Sequence, residues 1–113
     1  MHNIFELLGV PPGIIEVERI EIQAAGAGEV RIYCFYSLNE TEEMKPFQIL
    51  CQQCKDVSWE NVLPEESWWL MDDDRAGLVD GSLGVDEQGA FISLLTGKFL
   101  FTAHAQARIE KNW

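Results

Sequence analysis

From Thr96-Gly97 onward the chain alternates. Phe99, Phe101, Ala103, Ala105, Ala107 and Ile109 fall in one phase, and Lys98, Thr102, His104, Gln106 and Arg108 in the other. Leu100 is the one apolar residue in the polar phase. A period of two over this length is a strand with one buried and one wetter face. Residues 90–95, AFISLL, precede the turn, so the pair reads as an antiparallel hairpin. Two registers compete. A two-residue Thr96-Gly97 loop sets Leu94 against Phe99 and Ile92 against Phe101, which makes every inner pair apolar. A type I turn with Gly97 in the left-handed bulge position sets Phe91 against Phe101 and Ser93 against Phe99. A one-residue slip flips a whole strand, and packing favours the first register.

The same pattern recurs upstream. Ile14–Gln23 is a strand whose phase breaks: Ile15 and Val17 share one face, Ile20 and Ile22 the other. A bulge near Glu18-Arg19 would reunite them. After the small-residue loop Ala24–Gly28, Glu29–Leu38 places Val30, Ile32, Cys34 and Tyr36 in one phase, and the two strands form a hairpin. Asn39–Lys45 is a polar loop or a single helical turn. Phe47–Gln53 is a third strand, and Val57 and Trp59 continue its spacing of two. Ser67–Met71 reads as a strand or turn with strong burial tendency. Asp72–Gly89, rich in Asp and Gly, holds at most one weak strand. At the other end, residues 3–8 form a short helix: Asn3 caps it, Glu6 completes a capping box, and Gly9 ends it. Pro11-Pro12 forces an elbow, and helix and elbow together close one end of the core. Lys111-Asn112-Trp113 reads as a tail. Short strands separated by turn signals predict a mainly β fold, a small antiparallel sandwich or barrel of about six or seven strands with a short N-terminal helix. An α+β arrangement is the alternative.

Composition places this fold in a class of settings. The 113 residues match one domain, residues 1–113, and 47% hydrophobic content suffices for one core without staples. Three cysteines, an odd number, fit a reducing compartment better than a disulfide framework. The N-terminus has no basic region leading into an apolar run, so a cytoplasmic protein is expected. The formal net charge is −11. It is uneven: residues 60–87 hold nine carboxylates against Arg75 alone, a net −8. Such a surface repels phosphate backbones and anionic membranes, so neither nucleic acid nor membrane is expected as a partner. A basic protein partner or a cation is favoured, with solvation of a small protein as the plainer explanation.

Candidate chemistry is sparse. Cys51-Gln52-Gln53-Cys54 has the spacing of a zinc half-site or redox pair. No second pair completes a zinc site, and strand flanks would point the two thiols to opposite faces. Asp72-Asp73-Asp74 with Gly77 resembles the start of a calcium loop, but Ala76 and Leu83 stand where oxygen ligands are required. No cofactor or metal site and no catalytic set is expected; His104, on the wetter phase, has no partner visible in sequence. Trp68 and Trp69 would point to opposite faces of a strand, leaving one of them exposed beside the acidic block. An exposed Trp ringed by carboxylates suits a cationic, partly apolar partner.

The leading expectation is therefore a non-catalytic interaction module, of inhibitor or immunity type, with Trp68, Trp69, Glu65, Glu66, Asp72, Asp73 and Asp74 as its partner-binding residues. A second is a small-ligand binder with a mouth lined by Trp59, Phe91, Phe99 and Phe101. A third is a small enzyme without a readable motif, centred on His104 beside a carboxylate. A homo-oligomer with a merely solvating acidic surface is a fourth.

Overall fold

A computed structural model of the chain describes residues 2–23, 28–62 and 76–113. Strands make up 72% of the described residues, so the α+β alternative falls away. The chain opens with a two-residue strand β1 (His2–Asn3) and a helix α1 (Ile4–Leu8), followed by β2 (Ile14–Gln23) and β3 (Glu29–Ser37). β4 (Lys45–Asn61), β5 (Ala76–Asp86), β6 (Gly89–Thr96) and β7 (Phe99–Glu110) complete it.

All strand pairs are antiparallel, in the order β1-β5-β2-β3-β4-β7-β6, and β5 also pairs with β6. That last pairing closes the sheet into a barrel, with β1 as an outer addition to β5. Two meanders, β2-β3-β4 and β5-β6-β7, are joined along the long β4–β7 ladder and across a short contact, Glu16 to Gly77 and Val17 to Ala76. Closure removes the open sheet edges that invite non-specific pairing.

The inner face is apolar because alternation holds along β3, β6 and most of β7, and a bulge restores the phase of β2. Ile15, Val17, Ile32, Cys34, Phe47, Ile49, Ile92, Leu94 and Phe101 are all buried. β2 contains the expected bulge, between Val17 and Arg19, and it returns Ile20 to the core side opposite Ile32. Ile22, at the barrel's end, stays 61% exposed.

α1 plugs the barrel. The Asn3 side chain accepts from the Glu6 amide at 2.9 Å, and Gly9 takes a left-handed φ of 72° that ends the helix. Ile4 and Leu8 point into the core. Ile4 fits because β5 carries Gly81 beneath it: a Cβ there would lie 2.9 Å from Ile4 Cγ1.

The tail is not a tail. Trp113 stacks on Tyr36 with centroids 6.1 Å apart, and Lys111 Nζ donates to the Leu8 carbonyl at 2.6 Å. The chain end thus seals the same side of the barrel as α1, and Tyr36 adds a hydrogen bond to the Pro11 carbonyl at 2.7 Å.

The β6–β7 hairpin has neither expected register. Leu95 pairs with Leu100, Leu94 with Phe101 and Ile92 with Ala103. The turn spans Thr96–Phe99. Buried Thr96 explains it: its hydroxyl accepts from the amides of Lys98 (3.1 Å) and Phe99 (3.0 Å) and donates to the Phe99 carbonyl. The face assignment of the favoured register survives, since a shift of two residues preserves parity. Phe91 faces outward, opposite His104.

β4 is longer than the pattern predicts and bends twice. Its register against β7 shifts between Gln52 and Lys55 and again between Lys55 and Ser58. Gln53 and Asp56 take φ of 56° and 53°, a left-handed conformation that L-residues other than Asn and Asp rarely adopt. The bends change what the cysteine pair does. Cys54 packs against the core beside buried Cys51 rather than pointing to the opposite face, and its amide donates to the Gly28 carbonyl at 3.0 Å.

Candidate functional site

The expected partner-binding residues Glu65, Glu66, Trp68, Trp69, Asp72, Asp73 and Asp74 lie outside the described residues, as do Ser67–Met71. The described chain on either side, β4 and β5, is tied to one turn. The Val62 amide donates to the Lys98 carbonyl at 2.8 Å, and the Gly97 amide to the Gly77 carbonyl at 3.1 Å. The β6–β7 turn therefore sits between the two flanks of the acidic, Trp-bearing stretch.

Registers on this side of the barrel stack into rows across β4, β7, β6 and β5. The inner row is Trp59, Phe101, Leu94 and Gly81. Trp59 lies flat on Phe99, with centroids 4.1 Å apart and planes 19° apart, and donates its Nε1 to Asn61 at 3.0 Å. It remains 45% exposed at the rim.

The next outer row is Glu60, Leu100, Leu95 and Asp80. Two half-buried leucines lie between two exposed carboxylates. Four adjacent strands set the outer members about 14 Å apart, three strand spacings. Val62 and Val79, 50% and 71% exposed, flank the row. Leu100, which interrupts the polar phase of β7 in the sequence, is thus part of an outward apolar strip. A polar row of Ser58, Thr102, Ser93 and Ser82 follows it.

A fourth row holds His104, with Lys55 opposite on β4 and Phe91 opposite on β6. His104 is not the isolated solvent-side histidine that the alternation implies. Its Nε2 lies 2.9 Å from Asp86 Oδ2 and its Nδ1 lies 3.3 Å from Asp56 Oδ2. The hydrogen bond to Asp86 is the main force raising the imidazole above its ordinary value, and the same contact lowers the Asp86 carboxyl. The two nitrogens point in opposite directions, so one ion cannot be gripped by both carboxylates and the ring. Among the described residues no three metal-ligating side chains converge. Sequence could not supply this cluster. Asp56 reaches it through a bulge and Asp86 through the end of β5, neither of which has a local signature.

The cysteines are held as thiols. Burial pushes Cys34 and Cys51 up to about 12, and Cys54 is also raised. Metal or redox work requires thiolate, which these environments suppress.

Of the aromatics expected to line a ligand mouth, Phe101 is wholly buried, Phe99 is covered by Trp59, and Phe91 is on the outer face. They do not line a common cavity wall. A groove of about 320 Å³ opens near α1, and Phe91 alone of these aromatics lines it, with Leu7, Leu83, Val85, Ala90 and Ile109. A second, of about 340 Å³, lies on the outer face of β3 and β4 against Tyr33, Phe35, Gln48 and Glu110.

No described helix is long and apolar enough to cross a membrane. Comparison with family models, curated proteins and solved structures returns no match.

Proposed function

We propose that the protein is a non-catalytic interaction module that binds a basic protein partner in the cytoplasm through the acidic end of its barrel. The observation that carries this reading is the row Glu60–Leu100–Leu95–Asp80. It offers apolar contact between two carboxylates, beside exposed Trp59, Val62 and Val79. Its two carboxylates belong to residues 60–87, which carry −8 of the net −11, and Trp68, Trp69 and their neighbouring carboxylates are part of the same stretch of sequence. A partner presenting apolar side chains between lysines or arginines complements it. Nucleic acid and anionic lipid would be repelled.

The probe is a synthetic peptide alternating arginine and leucine, with a glutamate–leucine peptide as control. The arginine peptide should bind, and its affinity should fall by at least about tenfold as salt rises from about 0.1 M to about 1 M, as the screening length drops from about 10 Å to about 3 Å. The double variant Glu60→Lys, Asp80→Lys should weaken it further. Equal binding of both peptides, or no response to salt, contradicts the reading.

A small-ligand reading is favoured by one observation, the groove beside α1, where Val85 is 78% exposed among Leu7, Leu83, Ala90 and Phe91. Enhanced fluorescence of an apolar dye, abolished by Ala90→Phe at the half-buried wall of the groove, would support it. A homo-oligomer is the remaining alternative, and sedimentation velocity separates it from a monomer.

A further inference from the structure

β4 holds two left-handed residues, Gln53 and Asp56, within four positions. Asp tolerates this conformation better than Gln does, and a contact that holds the side chain fixes it further. For Asp56 that contact is His104 Nδ1, 3.3 Å from its carboxylate. Across the ring, Asp86 is held from a second side, because its Oδ1 accepts the Gln88 amide at 2.8 Å. The two arms therefore differ. Asp86 is nearer the ring and fixed by its own turn; Asp56 is farther and 69% exposed.

We propose that His104 is a proton-controlled clasp: as imidazolium it ties the bulge of β4 at Asp56 to the end of β5 at Asp86, and on losing one proton it releases Asp56. The chemistry follows from donor count. An imidazolium has two N–H donors and satisfies both carboxylates. Neutral imidazole has one. The shorter, better-anchored bond to Asp86 keeps it, and the Nδ1 lone pair then faces the Asp56 carboxylate, which repels it.

The other charged groups near the ring are Lys55, opposite on β4, Glu87, next to Asp86, and Arg108 farther along the same face of β7. Arg108 is paired with Glu110 at 3.1 Å. Phe91, facing the ring from β6, is uncharged. The carboxylates thus dominate the environment, and the imidazole is raised as a result, so the release falls above the ordinary imidazole range. The sign is fixed by that direction. The clasp is fully made below the unfolded imidazole value and is lost as pH rises through the folded one. Acid opens it too, as Asp86 is protonated below the ordinary carboxyl range. Trp59 and Glu60 follow Asp56 by three and four residues, so the clasp sets the path of the strand that carries them.

The experiment is a pH titration by two-dimensional amide NMR, with the His104 ring protons followed in parallel. The amides of Asp56, Val57 and Ser58 should move with the midpoint of the His104 ring, which should lie above the ordinary imidazole range. In His104→Gln those inflections should vanish while the dispersion of the sheet amides remains. In Asp56→Asn, at an exposed position that leaves the core untouched, the His104 midpoint should fall while the Asp86 contact persists. Flat amides at 56–58 through the His104 midpoint overturn the proposal. So do inflections that survive in His104→Gln, or an unchanged midpoint in Asp56→Asn.

Discussion

Phe101→Ala should cost about 3–5 kcal/mol, the usual range for emptying a buried phenylalanine site. Phe101 is wholly buried on the inner face of β7, between Leu94 on β6 and Trp59 on β4. Its neighbours are fixed on three strands of a closed barrel and cannot collapse into the space. Domains of this size have about 5–15 kcal/mol in total, so the loss removes about a fifth or more of their stability. The comparison variant is Phe91→Ala. Phe91 is half-buried on the outer face, and its truncation leaves no internal void. Urea unfolding should show a much lower midpoint for Phe101→Ala than for Phe91→Ala, at a similar slope. Equal losses, or a larger loss at Phe91, would mean that the hairpin is slipped by one residue and its faces are exchanged.

Gly13→Ala should destabilise by about 1–3 kcal/mol, the cost of forcing extra volume into a packed site. A Cβ at Gly13 would lie 2.4 Å from the Ser37 carbonyl oxygen and 3.0 Å from the Tyr36 ring. The first obstacle is backbone at the end of β3, so no side-chain rotation relieves it. Tyr36 cannot yield either. It is packed on Trp113 and Phe5 and bonded to the Pro11 carbonyl. Two other glycines serve as controls. Gly77→Ala meets nothing within 4 Å and should be close to neutral or slightly stabilising. Gly9→Ala also meets nothing, but its φ of 72° should cost about 1 kcal/mol through the backbone alone. Thermal or urea midpoints in the order Gly77→Ala, Gly9→Ala, Gly13→Ala, from highest to lowest, are expected. A neutral Gly13→Ala would remove the tight elbow from this account.

What was legible in the chain is what period two encodes. Phe99, Phe101, Ala103 and Ala105 announce an inner face by themselves, and Ile15, Val17 and Ile20 announce a bulge by breaking phase. Asn3, Glu6 and Gly9 spell out a helix because capping is a local chemistry of three residues. Long-range closure was not legible. Nothing near Gly77 says that it pairs with Glu16, and nothing near Gly81 says that Ile4 fills the space above it. The hairpin register was not legible because a packing argument over Leu94, Ile92, Phe99 and Phe101 fixes only the parity of the pairing, whereas the Thr96 hydroxyl, bonded to Lys98 and Phe99, sets the length of the turn. Trp113 looked like a loose end because its partners, Tyr36 and the Pro46 carbonyl, are far away in sequence. The candidate site divides in the same way. Charge and aromatics were visible at once in residues 60–87. The row that sets Leu95 and Leu100 between Glu60 and Asp80 depends on registers across four strands, and so does the His104 cluster.

The claim that the acidic barrel end is a docking surface is tested most directly by locating where a basic peptide lands. With the arginine–leucine peptide added to labelled protein, the amide shifts should concentrate on Glu60, Asp80, Leu95 and Leu100. The loop at the opposite end of β4 is the internal control, since it carries Glu40, Glu42 and Glu43, all exposed and without an apolar strip between them. Shifts confined to the Glu60–Asp80 row support a built interface. Shifts centred on the Glu40–Glu43 loop, or spread in proportion to local negative charge, would contradict it and leave the acidic surface with solvation as its only role.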